Sequence, residues 1–221
     1  MSARIEDTLT LAPVVPVVVV DDAADAVPLA TALVAGGLPA IEVTLRTPAA
    51  LDAIERIADE VPGAVVGAGT VTSAFHAADA VAAGARFLVS PGATPALLET
   101  MRDSGVPFLP GAATPSDVIA LLERDVAVAK LFPAEAVGGV RMLRALAGPF
   151  PAMRFCPTGG IDLALAPGYL ALPNVVCVGG SWMLPAAAVR ERDWATVQSL
   201  ARAAAALGSP AGAAAPLPAP A

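Results

Sequence analysis

"AIEVTLRTPAALDAIERIADEVPGAVVGAGTV", residues 40–71, reads as strand, helix, strand. "AIEVTL" (40–45) and "AVVGAGTV" (64–71) are short, β-branched runs. The segment between them, "PAALDAIERIADEVPG", carries apolar residues at helical spacing, acids near its start and Gly63 at its end. Two strands joined through a helix pair in parallel. The alternation continues outward. Upstream lie "VVPVVVV" (14–20) and the helix-like "DAVPLATALVAGG". Downstream come "RFLVSP" (86–91), "PFLPG" (107–111), "VAVAKLF" (126–132), "RFCPT" (154–158) and "VVCVGG" (175–180). The helix-like "TPALLETMRDSG" and "TPSDVIALLERD" separate some of them. Eight strands roughly 20–25 residues apart predict an α/β fold, a single (β/α)8 TIM barrel with parallel strands. The competitor is a doubly wound open sheet, which usually places a glycine cradle after its first strand. Here that strand runs into "VVVVDDAADA", with no such cradle. The expected organisation is one barrel over 1–207 and a flexible tail rich in Pro, Ala and Gly, "GSPAGAAAPLPAPA", over 208–221.

Composition narrows the function classes. Apolar residues make up 56 % of the 221 and charged residues 15 %, against about 45–50 % and 25 % in ordinary domains, which suits a fully buried sheet. A net charge of −7 and the absence of any Lys/Arg cluster exclude nucleic acid and anionic membrane as partners. Cys156 and Cys177 make no disulfide framework and read as small buried hydrophobes in a reducing cytoplasm. Two thiols and a single histidine, His76, make a poor metal site, and His76 itself reads as surface. The apolar "LTLAPVVPVVVV" (9–20) resembles a signal-peptide core but is not expected to act as one, because Glu6 and Asp7 precede it and Pro13 and Pro16 interrupt it. Residues 163–189 carry no charge, yet Pro167, Gly168, Pro173, Gly179, Gly180 and Pro185 would break a membrane helix.

Candidate chemistry lies at the C-terminal ends of the strands, where barrel active sites sit. Side chains alternate faces along a strand, so Glu42, Thr44 and Arg46 share one face and Ile41, Val43 and Leu45 the other. The apolar set fits helix packing, which turns the polar set inward. By the same parity Val128, Lys130 and Phe132 point inward, and Ala129 and Leu131 face the helices. Lys130 is the only lysine beside twelve arginines. A coding preference for arginine explains why lysines are few but not why the survivor sits in a buried strand. Arginine keeps its proton in proteins, whereas a lysine can present the neutral amine that attacks a carbonyl. Two readings stand: a Schiff-base nucleophile, or a structural ion pair with Glu42. Glu42 either balances the cations or shuttles protons. Arg46 either offers its fork to a substrate carboxylate or is a surface charge. The glycine pairs of "PTGGI" (157–161) and "VGGSW" (178–182) expose backbone N–H groups suited to a phosphate, with a short helix from Ser181, or are simply tight turns. Thr70 in "GAGTV" and Pro91 in "SPG" stand near the mouth as a hydroxyl and an apolar wall, or as turn residues.

The series "EVTLRT", "GAGTV", "SPG", "KLFPAE", "GPF", "RFCPTGGI" and "GGSW", in this order and spacing, strongly resembles the 2-keto-3-deoxy-6-phosphogluconate / 4-hydroxy-2-oxoglutarate aldolases. These are class I pyruvate aldolases, and the likeness covers about residues 10–205. The resemblance implies a (β/α)8 barrel assembled as a homotrimer, acting on small 2-keto acids of the Entner–Doudoroff pathway without metal or cofactor. It implies Lys130 as the Schiff-base lysine and Glu42 as the proton-transfer residue. Arg46 and Thr70 correspond to contacts of the pyruvate carboxylate, and Pro91 and Phe132 to the pocket lining. Thr158 joins the substrate-binding set, and Gly159, Gly160, Gly179, Gly180 and Ser181 correspond to its phosphate end. The implied reaction cleaves the phosphorylated acid to pyruvate and glyceraldehyde 3-phosphate, or 4-hydroxy-2-oxoglutarate to pyruvate and glyoxylate. Two departures stand out: Leu131, where members often carry Phe, and an unusually apolar "DLALAPGYLAL" (162–172). The rivals are a non-catalytic sugar-acid sensor, which has no need of Lys130 and Glu42 together, and a barrel isomerase or synthase, which has no need of the inward lysine.

Overall fold

Strands β2 (Ala40–Thr44) and β3 (Val65–Gly69), joined through α3 (Ala50–Glu60), pair in parallel from Ala40↔Val65 to Thr44↔Gly69. The computed structural model describes residues 4–208 and repeats this unit along the chain. All of the expected tail but Gly208 lies outside the described residues. β1 (Val14–Val18) pairs with β2 and, on its other side, with β9 (Val178–Gly180). β4 (Leu88–Val89) and β5 (Phe108–Leu109) extend the sheet beyond β3. The result is a parallel six-stranded sheet in the order β5-β4-β3-β2-β1-β9. A second parallel sheet, β6-β7-β8, comprises β6 (Gly111–Ala112), β7 (Val128–Leu131) and β8 (Arg154–Phe155).

The run expected as one strand over 107–111 is therefore two segments in different sheets. Pro110 lies between them and brings no N–H to a ladder. Its carbonyl still accepts from the Lys130 N–H at 2.8 Å. On the far side of β8, single parallel bridges join Phe155 to Val175 and Thr158 to Gly179.

Local chemistry explains where the helices begin. Thr94 and Thr114 accept from the N–H groups of Leu97 and Asp117, both at 3.2 Å, and Pro95 and Pro115 follow them. A threonine N-cap and a proline at the first helical position are both favoured there, so α5 (Pro95–Asp103) and α6 (Pro115–Leu122) start where Thr-Pro was read. Ser73 caps α4 (Ala74–Ala82) in the same way. Further crossover helices are α2 (Ala26–Ala35), α7 (Gly139–Ala147) and α8 (Ala166–Leu170), and α9 (Ala186–Arg190) and α10 (Trp194–Ala205) follow the last described strand. Ser181 starts no helix, which corrects the sequence expectation. One turn closes from the Leu184 N–H to the Ser181 carbonyl, and α9 waits until after Pro185. The uncharged stretch 163–189 divides among α8, β9 and α9, and no helix among the described residues is long and apolar enough to cross a membrane.

Two apolar clusters divide the core by strand parity. The larger packs Ile41, Val43, Ala129 and Leu131 against helix residues such as Ile54, Ile57 and Leu143. The smaller joins Val15, Ala40, Phe87, Val89, Leu109, Val128, Cys156 and Cys177 from strands and strand ends of both sheets. Its only helical member is Leu9, from α1 (Ile5–Leu9), an element the sequence reading did not include. Glu6 of that helix pairs with Arg154 at 3.2 Å, which fixes α1 to the start of β8.

Candidate active site

Lys130 on β7 and Glu42 on β2 stand 5 % and 3 % exposed, where an unpaired charge would be costly. They are paired: Lys130 Nζ lies 2.9 Å from Glu42 Oε1 and 3.3 Å from Oε2. Removing one partner of such a buried pair costs about 3–5 kcal/mol. The ammonium also lies 5.3 Å from the centre of the Phe132 ring, close enough for a cation–π contact.

The glycines around this pair make its space. A Cβ on Gly69 would fall 2.2 Å from Glu42 Oε1, so the carboxylate lies flat against bare backbone of β3. A Cβ on Gly111 would meet the Pro91 carbonyl at 2.2 Å. Gly179 and Gly180 have the same role, because added methyls would strike Thr158 Oγ1 at 2.2 Å and the Trp182 ring at 1.9 Å. Gly159 and Gly160 differ: their φ values of +107° and +79° demand glycine for conformation.

Thr70 follows β3 with φ +60°, a conformation that costs a β-branched residue about 1–3 kcal/mol. Strain of that kind persists where the surroundings hold a side chain to a task. Arg46 is exposed and lies two residues past the end of β2. Its N–H donates to the Thr44 carbonyl at 2.8 Å, and the Thr44 hydroxyl donates to the Val18 carbonyl at 2.9 Å.

These side chains converge on one cavity of about 340 Å³ at the C-terminal ends of the strands. Its walls include Glu42, Arg46, Thr70, Pro91, Lys130 and Phe132, together with Thr158, Gly159, Gly160, Gly179, Gly180 and Ser181. Every site residue singled out in the sequence is thus at this one place. Val17 and Ile161 also line it and were not singled out. Parity along β1 was the signal for Val17, which registers with Glu42. The N–H groups of Gly159, Gly160, Ile161 and Ser181 find no protein acceptor among the described residues, so four backbone donors are free at this end. A second cavity, of about 310 Å³, opens at the start of the strands near Arg4, Glu6 and Arg102 and contains none of the expected residues.

Cys156 and Cys177 are buried, with sulfurs 3.4 Å apart. The hydrogen bond with Cys156, and then burial, push the Cys177 thiol well above its ordinary range, so it stays protonated and unreactive. His76 is half-buried in the first turn of α4, 3.2 Å from Thr72 Oγ1 and outside the cavity. Among the described residues no three His, Cys, Asp or Glu side chains gather as a metal site. The arrangement offers an amine, an adjacent proton acceptor, a guanidinium and a set of neutral N–H donors in the wall of one cavity.

Comparison with known proteins leads to the same chemistry. The family model described as "KDPG and KHG aldolase" matches residues 5–200. The KHG/KDPG aldolase of Escherichia coli (strain K12) is 50 % identical over 197 residues, which span 89 % of this chain and 92 % of that protein. The crystal structure of a KDPG aldolase from Legionella pneumophila, with pyruvate captured at low pH as a covalent carbinolamine, is similar with a TM-score of 0.90 and 43 % identity. The match covers 93 % of this chain and all of that one. The 2-keto-3-deoxy-6-phosphogluconate aldolase of Zymomonas mobilis ZM4, solved with 3-phosphoglycerate, gives a TM-score of 0.91 at 47 % identity, over 96 % of this chain and 100 % of that one.

Proposed function

This chain belongs to the KDPG and KHG aldolase family, and from that membership we propose that it is a metal-independent class I aldolase. It cleaves 2-keto-3-deoxy-6-phosphogluconate to pyruvate and glyceraldehyde 3-phosphate, and 4-hydroxy-2-oxoglutarate to pyruvate and glyoxylate. The observation that carries the reading is the buried amine of Lys130 at 2.9 Å from the Glu42 carboxylate in the wall of an open cavity.

The steps follow from that contact. Glu42 takes a proton from the Lys130 ammonium, and the amine adds to the 2-keto carbon to give a carbinolamine. Glu42 returns the proton as water leaves, which forms the iminium. Breaking the bond between C3 and C4 sends its electron pair into the iminium, while Glu42, directly or through a water, accepts the proton of the C4 hydroxyl. The aldehyde departs, the enamine is protonated at C3, and hydrolysis frees pyruvate and the lysine. Positioned proton transfer of this kind contributes about 10²–10⁴-fold. Arg46 and the Thr70 hydroxyl hold the substrate carboxylate, and Pro91 and Phe132 form the apolar wall. The phosphate lies against Thr158, the two glycine pairs and Ser181, where the free N–H groups support the assignment.

The wider reading is a single (β/α)8 barrel over 1–207 with a tail over 208–221. Its support is the Phe155–Val175 and Thr158–Gly179 bridges at one seam and the Lys130–Pro110 hydrogen bond at the other. A homotrimer in the cytoplasm fits exposed apolar side chains, Phe75 foremost at 79 %, and the two free thiols.

The test is pyruvate with borohydride, followed by mass mapping. The adduct is expected on Lys130 and is absent in Lys130→Arg, which also loses cleavage. Full activity in Lys130→Arg, or an adduct elsewhere, refutes the mechanism.

A further inference from the structure

The loop that carries Gly159 and Gly160 runs from Thr158 to α8, and one residue outside the cavity is tied to both of its ends. At the start, the Glu135 N–H donates to the Gly159 carbonyl at 3.1 Å, beside the Ala134 N–H on the Thr158 carbonyl at 2.8 Å. At the far end, the Tyr169 hydroxyl donates to the Glu135 carboxylate. Contacts behind the loop are close. A Cβ on Gly160 would come within 2.9 Å of Glu135 Cβ and Cγ. One on Gly139 would lie 2.5 Å from the Tyr169 oxygen and 2.8 Å from Glu135 Oε1. The Tyr169 side chain is buried while Glu135 is exposed, so the tyrosine is the fixed partner and the carboxylate the held one. Burial first, and then Glu135, raise the Tyr169 pKa, which keeps the phenol a donor at working pH.

The charge of Glu135 gives this tie a second effect. The cations in the cavity wall are Arg46 and Lys130, both of which the aldolase reading assigns to the keto-acid end. The phosphate end offers neutral donors only, so a carboxylate free to swing past Gly160 would meet the phosphate without a nearby cation to offset it. Tyr169 holds that carboxylate behind the loop.

We propose that Tyr169 and Glu135 are positioning residues that fix the Gly159–Gly160 loop and keep the Glu135 charge off the phosphate, so setting the preference for phosphorylated over unphosphorylated 2-keto acids. The inference rests on the aldolase reading above and extends it to substrate choice.

Steady-state cleavage of both acids tests it, with inorganic phosphate as a competitive inhibitor. Losing a hydrogen bond to a charged group, Tyr169→Phe raises KM for the phosphorylated acid about tenfold. Its kcat and both constants for 4-hydroxy-2-oxoglutarate stay within about twofold of wild type, because the keto-acid end is untouched. Phosphate inhibits this variant more weakly. Adding Glu135→Gln to Tyr169→Phe recovers part of the lost affinity, since the freed side chain no longer carries charge. Glu135→Ala, which leaves the tyrosine ring in place, raises the same KM by less than Tyr169→Phe does. Equal shifts for both acids in these variants, or a double variant no better than the single, overturn the inference and leave a structural tie. A wild-type protein that cleaves neither acid overturns the aldolase reading itself, a result distinct from an active enzyme whose substrate ratio ignores Tyr169.

Discussion

Gly69→Ala places a methyl group against the catalytic pair without replacing either of its side chains. Gly69 has an ordinary strand backbone, so alanine fits the conformation and the effect is steric. The new Cβ would stand 2.2 Å from Glu42 Oε1, 2.6 Å from Cγ and 2.8 Å from Cδ, whereas real Cβ contacts essentially never fall under 3.0 Å. The carboxylate must therefore retreat by about 0.8 Å. It is 3 % exposed and held by Lys130, so the movement comes out of the 2.9 Å contact that carries the proton. A misplacement of about 1 Å costs on the order of 10²-fold in rate. Overpacking a filled interior costs about 1–3 kcal/mol, which also lowers Tm. Gly148→Ala is the control, because a Cβ there meets nothing within 4 Å. The assays are steady-state cleavage and the rate of borohydride trapping with pyruvate. Both are expected to fall about 10²-fold in Gly69→Ala and to stay at wild-type level in Gly148→Ala. A folded Gly69→Ala enzyme trapping pyruvate at the wild-type rate would refute the claim that the carboxylate position limits the chemistry.

Thr70→Gly removes the φ +60° strain along with the hydroxyl. Strain relief of about 1–3 kcal/mol offsets the roughly 0.5–1 kcal/mol that glycine loses in chain entropy. Tm is therefore expected to hold or rise while KM for both keto acids increases, and a clear fall in Tm would show that the conformation carries no strain. Asp117 supplies the pH-dependent case. Burial pushes its pKa up, but hydrogen bonds from the Ala113 N–H, the Thr114 side chain and the Thr114 N–H outweigh it and leave the carboxyl below its ordinary value. A lowered folded-state pKa adds stability that is full above the unfolded value of about 3.9 and is lost as pH falls through the folded one. Asp117→Asn should thus lower Tm at pH 7 by an amount that shrinks as pH falls below about 3.9, as thermal melts across that range would show; an equal loss at every pH would contradict the assignment.

Period-two alternation made the pair legible. Parity alone turned Glu42 inward on β2 and Lys130 inward on β7, and the structure sets them 2.9 Å apart although 88 residues separate them in sequence. What parity leaves out is height: whether two inward residues meet depends on register, such as Val17↔Glu42 or Gly111↔Lys130, and the chain carries no local mark of it. The break at Pro110 was visible as a proline, yet its effect on the ladder depends on which neighbour needed that N–H. The glycines show the limit most plainly. "PTGGI" and "VGGSW" look alike as strings, but Gly159 and Gly160 are required by backbone conformation and Gly179 and Gly180 by the side chains of Thr158 and Trp182 pressed on them. A residue type reports that space or freedom is needed; only the packing says which. The same holds for "DLALAPGYLAL", whose apolar residues gave no sign that Tyr169 reaches back to Glu135. That contact joins the segment after β7 to helix α8, and nothing in either segment alone specifies it, so the residues that tune a site are harder to read than those that perform its chemistry.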